Sequence, residues 1–238
     1  MPYRRLPKTD KARLRSLGQA VEACIQNGIY TNVLPHDLYH KAKNFLERFS
    51  REVSIYERSI TEQSSKRRNS KYEAALKQAR MYVSHFVQVL SLSIIRGEIP
   101  RSKRSYYGLP TDQDSVPPLV SESALLQCGE NIKEGERRRT AEGGVPIYNP
   151  TMGRVAVVYD IFKEMYQHQQ QLQQRTTEAL ENIAAMRPEG DAMILNIWNI
   201  VEEHFAKLPQ EKRLKECAKY GIIYYTRTDR KKKSEKDD

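Results

Sequence analysis

The pair His36 and His40, in His36-Asp37-Leu38-Tyr39-His40, is the pattern with the clearest capacity for chemistry. Side chains at i and i+4 share a helix face, and two imidazoles so placed can hold one metal ion. A site needs a third ligand, and the sequence names none. The Glu-x-x-His elements of di-iron bundles are also missing, since Glu164 and His168 stand four apart rather than three. No metal and no cofactor is therefore assigned. Nucleophilic and phosphoryl chemistry lack their motifs: there is no Gly-x-Ser-x-Gly elbow, Cys–His signature or Gly-x-x-x-x-Gly-Lys loop. Adjacent acids such as Glu202 and Glu203 do not face one site on a helix. His85, beside Phe86 and near Met81, reads as a half-buried structural residue, and His204 as a partner for a carboxylate. The expectation is a protein that is not an enzyme.

The cationic residues form the second pattern. Lys41, Arg48, Arg51 and Arg58 step by 7, 3 and 7 and so share one helix face, and Lys66, Arg67 and Arg68 continue the charge. Arg101, Lys103 and Arg104 follow, interleaved with Tyr106 and Tyr107. Such a face can track a phosphate backbone with salt-sensitive affinity. Glu47, Glu52 and Glu62 lie among these cations, and an i,i+4 pair of Glu47 with Arg51 would make the same face an ordinary solvated surface. Net charge is +10, with 21 Lys/Arg against 10 Asp/Glu in residues 1–112 and 19 against 20 in residues 113–238. No helix-turn-helix or zinc finger is recognisable. The pattern predicts a non-enzymatic cytoplasmic interaction or scaffold protein, binding a protein partner or a second copy. The alternative is a nucleic-acid-binding protein using Lys41, Arg48, Arg51, Arg58, Lys66, Arg67 and Arg68 of the basic first half.

The elements that must carry these residues are helices. Leu38, Ala42, Phe45, Phe49, Val53, Tyr56 and Ile60 make one apolar stripe, and Tyr72, Leu76, Ala79, Val83, Phe86, Leu90 and Ile94 a second. With the polar tip Ser64–Ser70 between them, they predict a long helical hairpin over about 36–96. A shorter helix precedes it, capped by Thr9 and ended by Asn27-Gly28. Gly97, Pro100, Gly108, Pro110, Pro117 and Pro118 then interrupt the pattern, and this stretch reads as the junction between two halves, 1–112 and 113–238. In the second half Ser121 opens a short helix and Thr151 a long one. Pro188 then either turns that helix into a second hairpin or only kinks it. Ile194, Trp198, Val201, Phe205 and Leu208 form a heptad stripe. The starts Thr9-Asp10-x-Ala12 and Ser121-Glu122-x-Ala124 are alike, which suggests an internal repeat or only shared helix-start chemistry. The expected fold is all-α: two up-and-down helical bundles built on long hairpins, with possible duplication.

Ile222–Thr226 reads as an extended strap, and Lys231–Asp238 as a disordered charged tail. Met1-Pro2-Tyr3-Arg4-Arg5 is not followed by an apolar stretch, unlike a secretory signal, and no run of 18 apolar residues marks a membrane span. Cys24, Cys128 and Cys217 are odd in number and far apart, as expected of buried reduced thiols.

Gly143-Gly144-Val145-Pro146 with Asn149-Pro150, then Arg187-Pro188-Glu189 and Ile194-Leu195-Asn196-Ile197-Trp198, resembles an uncharacterised family of all-helical bacterial proteins over roughly residues 120–225. The resemblance implies a bacterial origin and a helical fold, and carries no activity.

Overall fold

The computed structural model describes residues 2–26 and 33–225. Among them the chain forms α1 (Asp10–Gln26), α2 (His36–Gln63), α3 (Lys66–Ile95), a 3-10 helix (Arg101–Tyr107), α4 (Glu122–Ala141), α5 (Met152–His204) and α6 (Gln210–Lys219). A two-stranded antiparallel ribbon pairs β1 (Tyr3–Arg4) with β2 (Tyr224–Tyr225), Tyr3 opposite Tyr225. The fold is all-α. The strap expected at 222–226 supplies β2, while the end of α1 at Asn27-Gly28, Thr226 and the tail at 231–238 lie outside the described residues.

Local chemistry explains the helix starts. The Thr9 hydroxyl accepts from the Ala12 amide (3.2 Å), and the Ser121 hydroxyl from the Ala124 amide (3.1 Å). The two segments share this capping geometry.

The chain divides into two compact units, Met1–Ile60 with Arg175–Asp238, and Thr61–Gln174, rather than 1–112 and 113–238. The first unit buries Leu17, Val21 and Cys24 of α1 with Phe45, Phe49 and Val53 of α2, Ile194, Trp198 and Val201 of α5, and Cys217. Phe45 and Phe49 stack with centroids 5.5 Å apart, and burial of each ring contributes about 1.5–3 kcal/mol. The second unit buries Ala79, Val83, Phe86 and Leu90 of α3 with Leu125 and Ile132 of α4, and Val155, Tyr159 and Phe162 of α5.

The stretch expected as a hairpin over about 36–96 supplies helices to two different cores, and of the two readings of Pro188 the structure holds the one in which the helix continues. The stripes of α2 and α3 are helical as predicted, and each enters the core of its own unit. Amphipathic spacing shows that a stripe is buried, not what buries it. Pro188 sits inside the continuous 53-residue α5, whose start belongs to the second unit and whose end belongs to the first. Proline there removes a hydrogen bond to the Ala184 carbonyl. Ala184 and Pro188 are both exposed, so water can replace that bond.

The stretch 97–120 is also not a junction. Arg104 and Tyr107 are fully buried in the second unit. The Arg104 guanidinium donates to the Pro110 carbonyl (2.7 Å), the Ser91 hydroxyl (2.7 Å) and the Ser115 carbonyl (3.0 Å). Arg80 on α3 donates to the carbonyls of Leu119 and Val120 at 2.8 and 2.9 Å. Arginine forks thus satisfy the backbone of a long irregular segment that would otherwise be too polar to pack on a core.

Candidate functional site

The residues singled out by sequence fall on both units. Lys41, Arg48, Arg51 and Arg58 are exposed on α2 in the first unit, in keeping with their shared helix face. Arg48 is tied to Glu189 on α5 (3.2 Å), and neighbouring Glu57 holds Lys11 (2.8 Å). Lys66, Arg67 and Arg68 belong to the second unit; Lys66 and Arg67 are exposed, and Arg68 is half-buried and donates to the Glu62 carbonyl. The charge asymmetry between sequence halves does not survive folding. The first unit holds 24 Lys/Arg against 18 Asp/Glu and the second 16 against 12, so both are mildly basic.

His36 and His40 do meet, with their Nε2 atoms 3.0 Å apart. Among the described residues no group of three His, Cys, Asp or Glu side chains could hold a metal ion. Cys24, Cys128 and Cys217 are buried, and burial pushes the Cys128 thiol up to about 11. No described helix is long and apolar enough to cross a membrane.

Two polar networks, one part-buried and one buried, join elements within the units. In the first unit Arg13 on α1 forms a two-pronged pair with Asp191 on α5 (2.8 and 2.9 Å), and Arg187 does the same with Asp10 (2.9 and 2.8 Å). The Arg187 hydrogen bond holds the Asp10 carboxyl below its usual range. Trp198 donates to the Ser16 hydroxyl (3.2 Å), which donates to the Gly221 carbonyl (3.2 Å). Gly221 has φ +82°, and a Cβ there would lie 2.5 Å from the Ser16 carbonyl oxygen, so only glycine fits.

In the second unit Glu136 and Arg139 of α4 are 3% and 5% exposed and pair at 2.8 Å. Glu136 also accepts from the Tyr107 hydroxyl (2.6 Å) and the Ile147 amide (2.9 Å), and Arg139 donates to the Val145 carbonyl (2.9 Å). Burial, then Glu136, pushes the Tyr107 phenol far above its ordinary range. This network pins the Gly143–Pro146 loop. The residues behind the family resemblance thus have structural partners: that loop holds the Glu136–Arg139 pair, Arg187 holds Asp10, Glu189 holds Arg48, and Trp198 holds Ser16.

A cavity of about 660 Å³ lies beside this loop. Its cations are matched within the unit: Arg96 with Glu98 (2.6 Å), Arg139 with Glu136, and Lys103 with Glu142.

One surface escaped the sequence reading. Ala74, Gln78, Met81, His85, Gln88, Leu92 and Ile95 step by 4 and 3 along α3, and all are exposed. Met81 is 55% exposed, Leu92 50% and Ile95 60%. His85 is therefore not half-buried as expected. The stripe lies one residue out of phase with the buried one, and its seven positions carry no charge in a chain that is 29% charged. That absence of charge was the available signal, masked by the stronger core pattern beside it.

No protein-family model matches the chain, and no curated protein and no solved structure matches it.

Proposed function

We propose that the protein is a non-enzymatic helical scaffold of the cytoplasm that associates with a second copy of itself through the exposed face of α3. The uncharged seven-residue stripe carries this reading. A chain of net charge +10 repels its own copies, so self-pairing needs a face free of like charge. The stripe spans 21 residue steps, about 32 Å at 1.5 Å per residue. Antiparallel pairing about a two-fold axis near His85 sets Ile95 beside Ala74, Leu92 beside Gln78 and Met81 beside Gln88, large against small or polar. A single helix pair of this length belongs to the small interfaces, below about 1,200 Å², and so to a weak, reversible dimer.

Sedimentation equilibrium tests the reading. The weight-average mass should rise towards twice 27.7 kDa with concentration, and Met81→Glu with Leu92→Glu should hold it at the monomer value without loss of helicity. A wild-type chain that stays monomeric at high micromolar concentration, or a variant that dimerises as well as wild type, sinks it.

A second reading, nucleic-acid binding through α2, rests on Lys41, Arg51 and Arg58, which are exposed and make no ion pair among the described residues. Anisotropy of labelled duplex should then rise saturably at low salt, fall with added salt, and be lost in Arg51→Glu with Arg58→Glu. No binding at low salt eliminates it.

A further inference from the structure

The first unit contains a second cavity, of about 420 Å³, between the start of α1 and the β1–β2 ribbon. We propose that it binds a small aromatic phosphate of the mononucleotide type, a role separate from the pairing surface on α3. Three observations lead there.

The first is charge. Arg5, Lys8 and Arg15 line the cavity, and among the described residues no Asp or Glu does. All three cations are exposed, and none makes an ion pair among the described residues. Asp10, two residues after Lys8, is taken by Arg187 and Arg13. In the cavity of the second unit, by contrast, Arg96 and Arg139 are each matched by a carboxylate. Three cations lining one cavity without a counter-charge among the described residues favour an anion with several oxygens, and a phosphate can accept from two guanidinium forks at once.

The second is the wall. Tyr3 and Tyr225 face each other across the ribbon with ring centroids 6.0 Å apart, and Trp198 closes the floor at 2% exposure. The Arg5 guanidinium lies 5.1 Å from the Tyr3 ring centre, so cation and aromatic surface are adjacent. This combination suits a ligand with a planar ring beside its charge. The volume falls within the range of small-molecule sites, roughly 300–1,000 Å³.

The third is rigidity. The floor is fixed by the Trp198–Ser16–Gly221 hydrogen bonds, and the walls by the pairing of β1 with β2. A preformed cavity avoids the ordering cost of assembling a site on binding. The basic run Arg4-Arg5-Leu6-Pro7-Lys8 reaches this cavity only through the fold, because the ribbon that holds it there is completed by residues over 200 positions away.

Trp198 is the only tryptophan, so its fluorescence reports the cavity directly. The purified full-length chain would be titrated with AMP, GMP, CMP and UMP, exciting at the red edge where the nucleotides do not absorb, and with adenosine and inorganic phosphate as half-ligands. The expected result is saturable quenching by at least one mononucleotide. Each half-ligand should bind about tenfold or more weakly, and Arg5→Gln and Arg15→Gln should each weaken the mononucleotide by about tenfold or more. Both variants remove exposed side chains that make no ion pair among the described residues, and should leave the unfolding midpoint nearly unchanged. A Tyr3→Leu variant, which keeps an apolar side chain but removes the ring, should weaken the mononucleotide and leave inorganic phosphate unaffected. The proposal is overturned by no saturable quenching at millimolar nucleotide, by adenosine or phosphate binding as well as the nucleotide, by full binding in both arginine variants, or by quenching seen only with a long oligonucleotide.

Discussion

Two helix-interior glycines should respond oppositely to the same substitution. Glycine to alanine inside a helix is worth about 1 kcal/mol in its favour by propensity alone. Gly18 on α1 has no atom within 4 Å of the position its Cβ would take, so Gly18→Ala should stabilise the chain by about 1 kcal/mol. Gly129 on α4 lies against the Tyr159 ring, where a new Cβ would come within 2.1 Å of Cε2 and 2.4 Å of Cδ2. Carbon atoms pack at about 3.5–4.0 Å, so the ring must move by more than an ångström. It is fully buried, and its hydroxyl donates to the Leu126 carbonyl (2.9 Å) and lies 3.1 Å from a Glu130 oxygen. Overpacking costs about 1–3 kcal/mol, and a lost hydrogen bond about 1 kcal/mol. After the propensity gain, Gly129→Ala should destabilise by about 1–3 kcal/mol. Urea unfolding followed by far-UV circular dichroism covers both units, whereas Trp198 fluorescence follows the first unit alone. With a slope of about 2–3 kcal/mol/M, the Gly129→Ala midpoint should fall by about 0.3–1.5 M and the Gly18→Ala midpoint should rise. A neutral or stabilising Gly129→Ala would refute the packing of α4 against α5 in the second unit.

Glu136→Ala should cost about 3–5 kcal/mol, because it strands the Arg139 guanidinium at 5% exposure, while Glu134→Ala on the solvent side of the same helix should leave the urea midpoint nearly unchanged. For Asp10 the sign follows from its lowered folded-state pKa: the Arg187 pair adds stability that is complete above the ordinary aspartate value near 4 and is lost as pH falls through the folded value. Wild type and Asp10→Asn should therefore differ in urea midpoint at pH 7 and converge in strong acid. A gap that persists at pH 2 would show that the pair contributes through packing and not through charge.

The sequence by itself determined the helices and much of the burial. Steps of three and four in Phe45–Phe49–Val53 and Val83–Phe86–Leu90 state which residues leave water, since helical geometry puts them on one side of one rod. Thr9 and Ser121 mark helix starts because a hydroxyl meets the first free amides within one turn. The shared face of Lys41, Arg48, Arg51 and Arg58 was legible for the same local reason. Tertiary structure alone decided which stripes meet. A stripe carries no address, so the nearest partner in sequence, α3 for α2, was a natural expectation, yet α2 packs with α1 and the end of α5. Pro188 was ambiguous because its effect depends on whether the freed carbonyl meets water or core, and exposure of Ala184 settles it. The 97–120 segment looked like a linker because glycine and proline break helices wherever they occur. Its place in the core comes from Arg80 and Arg104, whose forks reach carbonyls up to 40 residues away. The cavity of Arg5, Arg15 and Trp198 depends on the same kind of long-range closure, the pairing of residues 3–4 with 224–225, which no local rule of side-chain spacing encodes.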